Sequence, residues 1–412
     1  MRRSLFILCC VLFAALSGCS SAPTVVKPPV EPPAPVKPPK VKPTPAPTPQ
    51  PVSPPVKPTP PTPPLAELSE QRIHRLLLKL LPPIPSDRNG WANDLQQAFK
   101  SLTIPPSAEN FCAVIAITEQ ESNFQADPPV HNMPQIVERE IATRREKYSI
   151  PQSVVEWMLA RTSRDGRSYQ QRIHTLKTER ELSELVDEVV DRVPGGKKLF
   201  QNYNPVRTGG PMQVSVAFAD EYVQTHPYPY PMSSSVRNEV FTRRGGLYFG
   251  SAILLDYPVP YSDPLYRFAD FNAGRYSSRN AAFQHALGRI SGKPIGTDGD
   301  LLRYKNGQPD SEPSTTLSTL LNIKSRLGMS EASIRRDVLL EKSPSFSKTQ
   351  LYGRVFELAD QGGTQPRTLM PEIDLKSPKF KRKLTTEWFA TRVYRRYKTC
   401  LQRASEQKPS TR

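Results

Sequence analysis

Between Pro23 and Pro64 the chain places 20 of its 46 prolines, and no packed domain can contain that tract. Proline locks φ and carries no N–H donor, so it is excluded from helix interiors and from central strands. The tract also has no aromatic residue and one acidic residue, Glu31. It is expected to run as stiff polyproline II at about 3.1 Å per residue, a reach of about 130 Å. Its lysines, Lys27, Lys37, Lys40, Lys42 and Lys57, keep it solvated. Everything that can bury a core therefore lies beyond residue 64. What remains is long enough for one large domain with extra lobes or two ordinary domains. The formal charge of +17 falls to about +11 over residues 65–412, which favours anionic partners.

The segment before the tract reads as an export signal. Met1, Arg2 and Arg3 precede the apolar run LFILCCVLFAAL at residues 5–16, which is too short to span a bilayer as a helix. Leu16, Ser17, Gly18 and Cys19 close the run and resemble the bacterial lipobox. That resemblance implies cleavage after residue 18, acylation (palmitate included) of Cys19, and a lipid-anchored rather than membrane-spanning protein. Ser20 follows where aspartate would retain such a protein at the inner membrane. The expected location is thus the outer membrane of a Gram-negative cell, facing the periplasm, with exposure at the cell surface as the alternative.

Cys9 and Cys10 leave with the signal and Cys19 carries lipid, so Cys112 and Cys400 alone remain in an oxidising compartment. One disulfide between them is expected; a pair of buried free thiols is the alternative.

Beyond residue 64 the hydrophobic periodicity is helical. Leu68, Leu76 and Leu80 mark one stretch, and Trp91, Leu95, Phe99 and Leu102 a second. Ser107 is placed to cap a third helix, which ends near Glu121 and carries Phe111, Val114, Ile115 and Thr118 on one face. Ser347 and Gln350 suggest a capping box. Thr385 opens a long helix with Phe389, Val393, Tyr397 and Cys400 aligned. No run of alternating strands is long enough for a sheet, though a small hairpin could sit within a loop.

Several chemistries find no support. His74, His131, His174, His226 and His285 are scattered without ligand spacing, so neither a metal site nor a cofactor is expected. There is no phosphate-binding glycine loop and no nucleophile elbow. Nucleic acid is not an expected partner, since an exported lipoprotein is kept from the genome and no base-reading module stands out.

Three short blocks carry the chemistry. The first is residues 119–128 (EQESNFQADP), Glu119 to Pro128; the second Gly209, Gly210, Pro211, Met212, Gln213, Val214; the third Phe268, Ala269, Asp270, Phe271, Asn272, Ala273, Gly274. Residues 244–250 (RGGLYFG) lead into the third. In this order the blocks resemble the lytic transglycosylases of the goose-lysozyme-like superfamily, whose pattern is E-S at a helix end, then G-L-M-Q, then A-Y-N-A-G. The resemblance covers about residues 107–290. The whole chain also resembles the YaiW-like outer-membrane lipoproteins, a family of unknown function with the same blocks and both late cysteines.

The first resemblance implies a reaction. Protonating a glycosidic oxygen needs a carboxylic acid that keeps its proton near neutral pH, and burial beside apolar groups raises a carboxyl pKa. Glu121 would be that general acid and base, cutting the bond between N-acetylmuramic acid and N-acetylglucosamine in peptidoglycan. By the same carry-over Ser122 orients the turn, and Gln213 and Asn272 hold sugar groups. Glu119, two residues from Glu121, is expected to point elsewhere and lie exposed, and Asp127 to fix the turn into Pro128. Phe271 stands where the family has tyrosine, Asp270 replaces a small residue, and Pro211 replaces leucine.

These readings combine into a mainly α fold: a lysozyme-like helical domain with an inserted helical lobe and a helical C-terminal extension. Residues 1–18 are the signal and 19–64 the lipidated tether. Residues 65–106 form N-terminal helices, and 107–310 the lysozyme-like domain with an insertion at 134–193. Residues 311–412 form an extension packed on the core. The basic residues Lys379, Lys381, Arg382, Lys383, Arg392, Arg395, Arg396 and Lys398 read as the solvated side of the last helix and its approach. The alternative to an enzyme is a non-catalytic relative that binds glycan or an envelope protein as an accessory or scaffold subunit.

Overall fold

The computed structural model describes residues 69–192, 204–232, 234–305, 307–375 and 384–405. The signal, Cys19, the tether, Leu68 and the basic residues at 379–383 lie outside them. Among the described residues there are 17 α-helices and three antiparallel pairs of two-residue strands, so the fold is mainly α.

The first three helices are α1 (Glu70–Leu80), α2 (Arg88–Ser101) and α3 (Ala108–Glu121). Helix α2 buries Trp91, Ala92, Leu95, Ala98 and Phe99 at the spacing the sequence predicts. Helix α3 is different in kind. Every residue from Phe111 to Thr118 is buried, so this helix is covered on all sides and forms the axis of the main core. Its start is fixed by Ser107, whose Oγ accepts from the Asn110 N–H at 3.2 Å.

Helices α4 (Met133–Lys147), α5 (Gln152–Leu159), α6 (Tyr169–Thr175) and α7 (Glu179–Asp191) follow. They have a small core of their own, built from Met133, Val137, Tyr169, Ile173, Leu176 and Leu185. Capping boxes begin both α6 and α7, at Ser168 and Thr178. The chain then forms the hairpin of β1 (Thr208–Gly209) and β2 (Val214–Ser215), with Gly209 paired to Val214. Helices α8 (Val216–Tyr222), α9 (Val236–Val240), α10 (Arg243–Leu255), α11 (Pro264–Ala273) and α12 (Ser277–Ser291) complete the middle of the chain.

The C-terminal part divides between two cores. After the pair β3 (Tyr304–Lys305) and β4 (Gln308–Pro309) come α13 (Thr315–Asn322), α14 (Lys324–Leu327), α15 (Glu331–Val338) and α16 (Gln350–Asp360). With α12 they enclose a second core around Phe283, Leu320, Ile334, Phe346 and Val355. Helix α16 is capped by Thr349, which accepts from the Tyr352 N–H, and not by a box of Ser347 and Gln350. Ser347 lies instead within a 3-10 turn, Pro344–Lys348. Only the last helix, α17 (Thr386–Ser405), returns to the main core, after the pair β5 (Asp374–Leu375) and β6 (Leu384–Thr385).

Helix α17 acts as a splint. A disulfide joins Cys400 to Cys112 of α3, with a Cα–Cα distance of 5.5 Å across a sequence separation of 288. Tyr397 packs edge-on against Phe268 of α11, centroids 5.7 Å apart. Arg403 donates to the Leu80 carbonyl of α1 at 2.7 Å. Three helices distant in sequence are thereby held by one.

Candidate functional site

Glu121 is the last residue of the buried axis α3 and is itself half-buried. The chain leaves that helix through a tight turn. The Ser122 hydroxyl donates to the Thr118 carbonyl at 3.0 Å, closing the helix end, and Asn123 and Phe124 follow with φ of 51° and 60°. Two successive side-chain-bearing residues in the left-handed region cost about 1–3 kcal/mol each. The turn is kept because Phe124 is buried against Trp91, ring edge to face with centroids 5.1 Å apart. Trp91 is covered in turn by Arg243, which is held by Asp87 and Asp94.

The second block is the loop of the β1–β2 hairpin. Gly210 has φ +72°, and a Cβ on it would lie 2.0 Å from the Val240 carbonyl oxygen, so glycine is required twice over. Pro211 and Met212 then enter a groove along α10 made by Gly246 and Gly250. Cβ atoms on these glycines would meet Pro211 at 2.4 Å and Met212 at 2.2 Å. This explains the glycine-containing helix noted in the sequence: it is notched to receive the second block. Gln213, with φ 50°, ends the loop half-buried. Its Oε1 accepts from the Thr208 hydroxyl and its Nε2 donates to the Gly210 carbonyl, both at a long 3.4 Å.

The third block is the end of α11. Phe268 and Ala269 are buried in the main core, and Phe271 packs partly buried against it. The Asn272 Oδ1 accepts from the hydroxyl of Thr386, a fully buried residue at the start of α17, at 3.0 Å. The side-chain amide group of Asn272 is therefore the end turned away from that contact. Gly274, with φ +114°, terminates the helix.

The acidic residues of the blocks separate into distinct roles. On a helix, residues two apart diverge by about 200°, and Glu119 faces α17, where its carboxylate pairs with Arg396 at 3.5 Å. It is only 19% exposed, not solvated as expected, because its partner arrives from a helix near the other end of the chain. Asp127 pairs with Arg180 of α7 at 3.0 Å, so it ties the turn to the inserted lobe instead of bracing Pro128. Burial pushes its carboxyl above the usual range, against the pull of Arg180. The same seam contains the Val130 N–H to Lys177 carbonyl bond at 2.8 Å. The lobe is thus fastened directly after the Glu121 turn.

Asp270 is fully buried and structural. One oxygen accepts from the Ser278 N–H at 2.6 Å and the other from the Tyr261 hydroxyl at 2.7 Å. Tyr276, the residue before helix α12, is in the left-handed region and provides no side-chain cap. Asp270 supplies that cap from the preceding helix. Burial raises its carboxyl despite these hydrogen bonds. A small residue at this position would leave the start of α12 uncapped, a role the local sequence did not reveal.

Among the described residues no cluster of three or more His, Cys, Asp or Glu side chains could hold a metal ion, and no helix is long and apolar enough to cross a membrane. One cavity has a volume of about 430 Å³. It lies by Asn110, at the opposite end of α3 from Glu121.

Residues 85–403 match the family described as Protein of unknown function (DUF1615). The chain belongs to this family. It is also 47% identical over 323 residues to the Uncharacterized protein YaiW of Escherichia coli (strain K12), covering 78% of this chain and 87% of that protein. No solved structure matches the chain significantly.

Proposed function

We propose that this DUF1615 protein is an outer-membrane lipoprotein, anchored through Cys19 and facing the periplasm, that cleaves peptidoglycan glycan strands with Glu121. One observation carries the reading. Phe124, Met212 and Phe268, one from each of three blocks far apart in sequence, share a single buried cluster around the helix that ends at Glu121. Strained backbone at Asn123, Phe124 and Gln213 supports it, since such strain concentrates at functional sites.

The other carboxylates of the blocks are committed to Arg396, Arg180, and the Ser278 and Tyr261 pair. The resemblance assigns the chemistry to Glu121. Its carboxyl group gives a proton to the glycosidic oxygen as the bond to the muramic acid C1 breaks, while the substrate's N-acetyl group supports the developing charge. The carboxylate next takes the proton of the 6-hydroxyl as that oxygen bonds to C1, leaving a 1,6-anhydro sugar and a re-protonated Glu121. Ser122 holds the helix end, Asn272 donates its amide N–H groups to sugar oxygens, and the long contacts of Gln213 are exchanged for substrate.

Purified sacculi incubated with the full chain and with Glu121→Gln, followed by mass spectrometry, test this. Anhydromuropeptides from the natural chain and none from the variant are expected. Their absence from both, under conditions where a known enzyme works, overturns cleavage. Retained glycan binding would then support the second reading, a glycan-binding or scaffold lipoprotein. Phe271 favours that reading, because it brings no hydroxyl to the position where the resembling enzymes have tyrosine.

A further inference from the structure

The cavity at the far end of α3 lies where α10 ends, and that helix end is densely hydrogen-bonded. Arg267 donates to the Leu254 carbonyl at 2.8 Å and the Tyr257 carbonyl at 3.4 Å, and Arg275 donates to the carbonyls of Ile253 and Ala252. Two arginines thus satisfy three of the last four carbonyls of one helix. Beyond them the cavity of about 430 Å³ is open to solvent, within the size range of small-ligand sites.

Its wall carries one acid and one base that do not pair with each other. Asp256 is held through Oδ2 by the Tyr222 hydroxyl, which leaves Oδ1 to accept from a ligand. Arg267 is held over the Tyr257 ring, 5.0 Å from its centroid, as well as by the two carbonyls. Arg275 is influenced by the Asp256 charge but is not among the residues that line the cavity. The remaining wall includes the apolar side chains of Leu102, Ile104 and Leu255. A negative and a positive group, each oriented by other residues, with apolar surface in the same cavity, match a ligand with an amine, a carboxylate and a neutral middle.

We propose that this cavity binds a short zwitterionic peptide, its amine against Asp256 and its carboxylate against Arg267. The proposal is independent of the glycan reading, since no group of it belongs to the Glu121 blocks. Titration calorimetry on the full chain with alanyl-alanine, its N-acetyl form and its C-terminal amide tests it. The free dipeptide is expected to bind, and each blocked form to bind about tenfold or more weakly. Asp256→Asn should abolish the penalty for N-acetylation and keep the penalty for amidation. Glu121→Gln should bind as the natural chain does, so failure here and failure of glycan cleavage are read separately. Equal affinity for all three peptides, or no binding of any at about 10 mM, overturns the proposal. Because the blocked peptides need no variant, the answer does not depend on a substitution that could disturb the end of α10.

Discussion

Glu341 shows how much a single residue can draw from its surroundings. It is fully buried in the second core, with Oε2 accepting from the Leu301 N–H and Oε1 from the Tyr304 hydroxyl at 2.6 Å. Burial is the larger effect and pushes the carboxyl up to about 7, although both hydrogen bonds and Lys342 oppose it and Asp300 adds to it. The Arg279 guanidinium beside it is spent on the backbone carbonyls of Glu341 and Ser343 and on Asn280. The unfolded chain sheds this proton near about pH 4.3, the folded chain only near about 7. Folded stability from this group is therefore complete below about pH 4.3 and lost as the pH rises through about 7. Glu341→Gln stays neutral throughout. Urea melts at about pH 5 and about pH 8 should show the natural chain losing about 2 kcal/mol more than the variant over that interval. Parallel losses in both proteins would remove the burial argument.

At the scale of elements, local signals and long-range pairings part company. The cap at Ser107, the Trp91 to Phe99 stripe and the alignment of Phe389, Val393, Tyr397 and Cys400 were legible because each is a pattern within one helix. The three blocks were legible as motifs. What they touch was not: Arg396 on Glu119, Arg180 on Asp127 and Thr386 on Asn272 join residues from separate segments far apart in sequence, and periodicity carries no information at that range. Thr349 displaced the box expected at Ser347 for a different reason, because Pro344 begins a 3-10 turn that consumes Ser347 first. Two of these three links end on α17, and its disulfide is the strongest of the long-range links it makes. Replacing Cys112 and Cys400 together by alanine should cost about 2–5 kcal/mol of stability. Amide exchange should quicken in α3, α11 and α17 and stay unchanged in α13, α15 and α16, which bury their apolar faces in the other core. Uniform quickening across both cores would mean that α17 does not act as a local splint.

At the scale of the whole molecule, the proline tract turns the proposed function into a question of distance. A lipid-anchored enzyme meets soluble glycan wherever it is, but meets the wall only if its domain can reach it. Stiffness sets that reach as much as length does. The polyproline II expected from its composition would extend about 130 Å, whereas a Gly/Ser chain of equal length has an end-to-end distance of about 35 Å. Two variants separate the causes: one in which half the tract is deleted, and one in which its prolines become glycine and serine while Lys27, Lys37, Lys40, Lys42, Lys57 and Glu31 remain, so that charge is unchanged. Both should cleave soluble glycan as the natural chain does. In cells, both should release less anhydromuropeptide, and the flexible variant should fall at least as far as the shortened one, because its mean reach is the smaller. Loss in the shortened chain with full activity in the flexible one would show that contour length, and not stiffness, governs access to the wall.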